Sequence, residues 1–574
     1  MVASASLSRF ACGLLVVLPG LSLLYYIHAF GVNVIAWDEL TMVPLIEKMM
    51  SGSLSFSDLV AQQNEHRLPF ARIAMLALSR FTQYNTVDEM YLSWALLSLS
   101  ALLLLCLWRR SSQCRVPQLL LTFLPVSIMI FSFRQYHTIL FGYSCHTYFM
   151  VLGGVAALSF LNFSKKLDLW FISSVLGAIV ASFSLVVGLM IWPAGLLQIM
   201  MSERKRRLTE VLSWSIIGVL TWAFYFYGYV KPSWHPPLEY FATDPLGTIA
   251  YFLTLIGSPF SFIGIHYAMA AAIGVVVLLI GAVVLGHAYK GRILRRNGVW
   301  LSFIAFAVLA SAANTIGRTG FGIELALSSR YTPITVLGIV GSYFLAMSVS
   351  QHHTAKRTSF GASALLAIIL IGTIVSYGAG WHLGPALRDS AQMGAYVLET
   401  HSIQSDENIR KYLCPDPANL REWARFLQVN KLNVFSVARP DLSRLDRLDS
   451  GTLFQIETVN GKTLSGDSYP VVIVSTGKET FTITGWAVDE RAQDVASAVF
   501  ITIDGQSDIP TYYGLDRPDV STRLNNQNFR YSGYMATFSS AILQKGWHTL
   551  SIKIVTRDGM SYYSPEEKVD LMIV

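Results

Sequence analysis

Runs of about 20 mainly apolar residues, each long enough for a helix to cross a hydrocarbon core, recur along the first two thirds of the chain. They lie near 10–30, 91–108, 117–133, 146–163, 169–185, 188–202, 208–230, 262–287, 299–315, 331–349 and 360–379. The fifth and sixth are separated only by residues 184–188 and predict a tight hairpin. The first lacks a small-x-small cleavage signal and is read as a retained helix rather than a signal peptide.

After residue 380 the period changes. Leu387, Met393, Val397, Leu420, Trp423, Phe426 and Leu427 recur at helical spacing, interrupted by Pro415 and Pro417. From about residue 453, short β-runs take over at 471–475, 481–488, 499–503, 534–538, 548–555 and 568–572. Asp504-Gly505 and Asp558-Gly559 stand where hairpin turns belong. The expected fold class is mainly α: a polytopic transmembrane helix bundle of about eleven spans over 1–380, whose first outer loop is 31–90. A helical segment over 381–452 and a β-sandwich over 453–574 complete a periplasmic α+β tail.

Composition supports the membrane reading. Of 574 residues, 53% are hydrophobic and 14% charged, and the mean hydropathy is +0.46. An ordinary soluble domain carries about a quarter charged residues, so this chain needs the lipid bilayer as a partner. The net charge of +7 is not gathered into a groove with interleaved aromatics, which excludes nucleic acid. Basic residues fall between spans instead: Arg109, Arg110 and Arg115; Lys165 and Lys166; Arg204, Lys205, Arg206 and Arg207; Lys290, Arg292, Arg295 and Arg296; Lys356 and Arg357. With Arg9, all lie on one side of an eleven-span arrangement, which puts the amino end in the cytoplasm and the tail outside. The outer connections are then 31–90, 134–145, 231–261 and 316–330. Of five cysteines, Cys145 and Cys414 are the one outer pair, and so few argue against a disulfide framework.

The ionisable residues concentrate in those outer connections. The first holds Trp37-Asp38-Glu39, Asp58, Asn64-Glu65-His66-Arg67 and Arg72. Carboxylates at a helix end against the bilayer are costly unless paired or used. Helical spacing over 40–50 and 56–81 predicts amphipathic helices lying on the membrane. Asp38 and Asp58 also suit plain helix capping, whereas four consecutive polar residues at 64–67 point to a ligand. Arg134 and His137, with Tyr143 and His146, occupy the second outer connection. Arg318 lies between Gly317 and Gly320, where glycine would let a ligand approach the backbone. Arg330-Tyr331 stands at the mouth of the tenth span, either as a phosphate fork or as an interfacial anchor. His235, beside Trp234 and two prolines, has no second metal ligand at suitable spacing. His66 with Glu65 or Asp38 leaves a divalent cation, Mg or Mn, open. His28, His266, His287, His352 and His353 sit near span ends or in a basic turn and suggest no chemistry.

A long first outer loop carrying Asp38-Glu39 just after the first span resembles the GT-C superfamily of membrane glycosyltransferases, and within it the bacterial O-antigen-modifying glucosyltransferases. The resemblance covers about 1–380. It implies a polyprenyl-phosphate-linked sugar donor, a glycan or glycolipid acceptor, and an address in the bacterial cell inner membrane with chemistry on the periplasmic side. Asp38 matches the loop-one acid that acts as general base or positions the acceptor, and Glu39 matches its companion. Residues 64–67 have no counterpart shared across the superfamily. By their chemistry, Glu65 would support the base, Asn64, His66, Arg67, Arg134, His137 and Tyr331 would contact substrate, and Arg318 with Arg330 would clamp the leaving phosphate. No Walker A or dinucleotide fingerprint is present. A polysaccharide polymerase or ligase would carry a large basic loop late in the chain. A lipid-linked sugar transporter would bury charges mid-span. The terminal β-domain looks like modules appended to bacterial envelope proteins; Trp486, Tyr512 and Tyr513 suit either core packing or sugar stacking.

Overall fold

The computed structural model describes residues 2–574 apart from 113, 203–206, 262–265, 353–355, 465–471 and 475–478. Arg204, Lys205, Arg206 and His353, together with Val471 and Ser475 of the first β-run, lie outside the described residues. The chain divides into two compact units, one of 1–31 and 48–388, the other of 32–47 and 389–574.

Among the described residues, nine helices are long and apolar enough to cross a membrane: Arg9–Phe30, Thr86–Ser111, Val116–Ile139, Gly142–Phe163, Arg207–Phe226, Tyr267–Lys290, Gly298–Phe321, Ser329–Gln351 and Leu365–Glu399. Two of the eleven expected spans are instead the short helices Leu169–Ser182 and Val186–Met201. The first has 14 residues, or about 21 Å at 1.5 Å per residue, short of a hydrocarbon core of about 30 Å. A third short apolar helix, Pro245–Phe260, occupies what hydropathy assigns to a connection. It begins where Asp244 accepts a hydrogen bond from the Gly247 N–H at 2.9 Å.

Small residues let these short helices sit backbone to backbone. A Cβ on Gly153 would collide with Gly177 and Ala181, and one on Gly257 with Ala270 and Gly274. At the first hairpin, Gly188 passes so close to the Ala181 carbonyl that no side chain fits. Deeper in the unit, Phe344 stacks on Trp108 at 4.6 Å and meets Trp300 at 4.5 Å between centroids.

The segment 31–90 departs from the expected pair of helices. A 3-10 turn, Trp37–Met42, precedes the helix Val43–Met50. The run over 56–81 is broken into a helix Phe56–Val60, a two-residue ladder of Gln62–Gln63 with His66–Arg67, and a helix Pro69–Thr82. Proline disfavours a helical residue before it but suits the first helical position, so Pro69 starts a new helix. Asn64 takes a φ of 50° at the ladder's turn, which Asn tolerates better than most residues. Asp58 completes a capping box with Ser55 and pairs with Lys48 at 2.5 Å. These bonds hold its carboxyl well below the usual carboxylate range. Asp38 is not a cap: that position belongs to Ala36, which has no side-chain bond to offer. The expected break near residue 380 is absent too, since one helix runs over Lys356–Glu399 through Pro385.

The second unit joins short helices to a β-sandwich. Helices Asp406–Tyr412 and Pro417–Val429 bury Ile409, Leu420, Ala424 and Leu427. Residues 32–47 belong here: the Trp37 N–H donates to the Leu413 carbonyl at 2.6 Å, and Asn433 Nδ2 to Asn33 Oδ1 at 2.7 Å. One sheet centres on Ala498–Ile503 and Gly546–Val555, the other on Thr480–Asp489 and Gly533–Ser539. Register places Ile501 opposite Ile552 and Phe481 opposite Phe538, all buried between the sheets. Asp504 and Gly505, both at positive φ, turn the Ala498–Ile503 to Ser507–Pro510 hairpin. Trp486 packs on Val488, Val520 and Phe529. Tyr513 donates its hydroxyl to the Ala487 carbonyl, and Tyr512 donates to Gln392. No disulfide links the described cysteines.

Candidate functional site

The ladder of residues 62–67 is the foundation of the site, and two arginines hold it in place. Arg67 donates to the carbonyls of Tyr225, Val60 and Tyr227 at 2.8, 2.9 and 2.6 Å. Arg72 donates to those of Asp58, Leu59 and Ala61 at 3.1, 3.0 and 2.6 Å. Arg72 also donates to Gln63 Oε1 at 3.3 Å, whereas the Arg67 guanidinium is spent on backbone, so Arg67 braces the loop instead of offering its fork to a ligand.

Glu65 sits at the turn with its carbonyl fixed by the Tyr225 hydroxyl at 2.9 Å. Its largely buried carboxylate is ion-paired with Arg318, the last residue of the helix Gly298–Arg318. Two imidazoles flank it, with His66 Nε2 3.3 Å from Oε1 and His235 Nε2 3.4 Å from Oε2. The Val186 N–H donates to His66 Nδ1 at 3.3 Å, so the neutral ring carries its proton on Nε2 and points it at Glu65. Desolvation, then the charges of Arg330 and His235, push His66 down to about 3. Glu65 does little to oppose this because Arg318 already neutralises it. Burial first, and Lys231 second, lower His235 as well. His235 packs edge-on to Trp234 at 4.1 Å and against Phe321 at 5.5 Å. Gly320 makes that possible, since a Cβ there would lie 2.5 Å from Pro236. The close approach it permits is therefore to the chain's own proline, while a Cβ on Gly317 would meet nothing within 4 Å.

No family model matches the chain. An uncharacterized protein of Archaeoglobus fulgidus is 24% identical over 208 residues, which are 33% of this chain and 51% of that protein. The chain thus spans about half the length of the curated relative it matches.

The structure brings together Glu65, His66 and Arg318, and adds His235. Arg330 is exposed, stands over its own neighbour Tyr331 at 5.2 Å, and lies within electrostatic range of both His66 and His137. Tyr331 is buried against Tyr251, Leu255 and Ala326. Arg134 is buried at the turn Phe133–Gln135, and exposed His137 follows in the helix Tyr136–Ile139. Asn64 shapes the turn through its backbone. Asp38 and Glu39 belong to the second unit, the first exposed and the second fully buried on the turn Trp37–Met42. Among the described residues no three His, Cys, Asp or Glu side chains are arranged to hold a metal ion. In the Glu65 group the guanidinium of Arg318 already serves as the cation, so these residues do not suit Mg or Mn. His235 and Tyr225 escape sequence reasoning because their link to Glu65 spans more than a hundred residues and leaves no spacing to read.

Proposed function

We propose that this chain is a membrane glycosyltransferase that moves a sugar from a polyprenyl-phosphate carrier to a cell-envelope glycan, such as an O-antigen. The reading places it as a multi-pass protein of the bacterial inner membrane, with the amino end cytoplasmic and the β-sandwich periplasmic. The observation that carries it is the convergence of Glu65, His66, His235 and Arg318 within range of the exposed Arg330. Ionisable groups drawn from distant segments, with shifted proton affinities, are a common mark of a functional site. The reaction itself comes from the Asp38-Glu39 resemblance.

In this reaction the acceptor hydroxyl oxygen forms a bond to the anomeric carbon. The bond from that carbon to the phosphate oxygen breaks, and its electron pair leaves with the phosphate. A carboxylate takes the hydroxyl proton, a role the resemblance assigns to Asp38. Arginine stabilises the charge growing on the leaving phosphate. Glu65 is a positioning residue here: paired with Arg318, it orients His66 instead of accepting a proton. The test is sugar transfer from a mass-tagged polyprenyl-phosphate donor by membranes containing the wild type or Asp38→Asn at equal expression. Transfer lost in the variant supports the reading; transfer retained removes Asp38 as the base, and no transfer by the wild type to any envelope glycan refutes the activity.

A further inference from the structure

Arg67 and Arg72 hold carbonyls and Arg318 holds Glu65, although Arg72 Nε, like Arg134 Nη1, has no hydrogen-bond partner among the described residues. Arg134 stands beside the exposed Arg330, on the turn against which Ser329–Tyr331 packs. It is 4% exposed, and Nε donates to the Ser258 carbonyl at 3.1 Å and to Ser261 Oγ at 3.3 Å. Nη2 donates to Ser261 Oγ at 3.1 Å and to the Leu327 carbonyl. Among the described residues Nη1 has no hydrogen-bond partner, and the ionisable group that acts on the guanidinium is the Tyr136 phenol, not a carboxylate. Arginine cannot shed its proton, and a buried cation without a counter-charge is strongly disfavoured.

Its position is nonetheless fixed. The backbone N–H of Arg134 donates to Ser132 Oγ at 3.1 Å. The ring of Phe133 lies 4.6 Å from that of Tyr26 and 4.4 Å from that of Tyr377. Buried hydroxyls without partners gather on the same elements: Thr138 Oγ1, Ser329 Oγ and Thr332 Oγ1, each on a residue 1% exposed. The turn Ser329–Tyr331 packs on both Phe133–Gln135 and Tyr136–Ile139, and heads the 21-residue helix Thr332–His352. Thr332 also lines an internal cavity with Ser100 and Gln135. Native proteins leave few buried polar atoms unsatisfied. Here several lie on the turn that carries Arg134 and on the elements packed against it, at a helix start whose dipole favours an anion.

We propose that Arg134 Nη1, the hydroxyls of Ser329 and Thr332, and Arg330 at the rim form a binding site for a phosphate monoester. A dianionic phosphate supplies both the missing counter-charge and the missing acceptors, which a neutral ligand does not. That the phosphate is carried on a lipid rests on the glycosyl-transfer reading; the anion chemistry does not.

The experiment measures binding to the purified full chain in detergent, using polyprenyl phosphate, inorganic phosphate and neutral polyprenol. Saturable binding of either phosphate is expected, weakened about tenfold or more in Arg134→Lys, which keeps the charge but loses the fork. Thr332→Val, nearly isosteric, guards against a folding defect and is expected to weaken binding several-fold. Preference for the lipid form identifies a headgroup site and preference for inorganic phosphate a free-anion site, and either supports the proposal. Polyprenol binding as well as polyprenyl phosphate, with inorganic phosphate inert, or affinities unchanged in both variants, would overturn it. Phosphate binding that responds to the variants, without any sugar transfer, would keep this site and remove the glycosyl-transfer reading. Normal transfer with unresponsive phosphate binding would do the reverse.

Discussion

The carboxylate of Glu65 is ion-paired with the guanidinium of Arg318, and the side chains of both are mostly withdrawn from water, at 10% and 15% exposure. The pair ties the turn at residues 62–67 to the end of the helix Gly298–Arg318. It also decides how the neighbouring histidines behave, because a carboxylate already neutralised does not hold a proton on an imidazole beside it.

Glu65→Gln keeps the shape and removes the charge that Arg318 pairs with. A loss of about 2–3 kcal/mol is expected, read as a lower unfolding temperature in detergent. Arg318→Gln in the same background should recover part of it. A single variant as stable as the wild type would show that the pair contributes nothing.

His66 sets a pH dependence with a defined sign. Its folded value near 3 lies below the ordinary 6.5, so the unfolded chain binds the proton first. Stability is therefore complete above about 6.5 and is lost as pH falls from there toward 3, by about 2 kcal/mol at pH 5. Amide exchange at residues 62–67 should speed up on acidification, and His66→Gln should flatten that slope.

Arg67→Lys separates bracing from substrate binding. Lysine keeps the charge but cannot reach three diverging carbonyls, so a loss of about 2 kcal/mol is expected. Transfer measured at low temperature, where the variant is folded, should show an unchanged KM for the donor. A raised KM with unchanged stability would return Arg67 to the binding surface.

Two glycines make opposite predictions. Gly188→Ala forces a Cβ into the Ala181 carbonyl and should cost about 2–3 kcal/mol. Gly317→Ala has open space within a helix and should stabilise by up to about 1 kcal/mol. Transfer by Gly317→Ala is expected to match the wild type. Loss of transfer without loss of stability would restore the idea that a ligand approaches this backbone.

Much of this architecture is legible in one dimension. Apolar runs predict nearly every long helix, because lipid demands about 20 uninterrupted apolar residues whatever the neighbours are. Period-two alternation likewise predicts the central strands of the sandwich, and Asp504-Gly505 their hairpin. Pattern misjudges length where helices pack closely on one another. Leu169–Ser182 and Pro245–Phe260 are apolar but short, and their partners sit in contact through glycine. The division at 388–389 falls inside one continuous helix, where hydropathy alone suggests an end.

From the residue pattern come the membrane-length apolar helices, the abundance of ionisable groups over 31–90 and the β-region after about residue 453. These follow from local properties: run length, period and charge density. Which ionisable groups meet is set by how distant segments fold together. The fold spends Arg67 and Arg72 on carbonyls, pairs Arg318 with Glu65, brings in His235, and buries Arg134 without a carboxylate. Such choices depend on which distant segments pack together, and a guanidinium's partner is set by contact in space, which no spacing along the chain records.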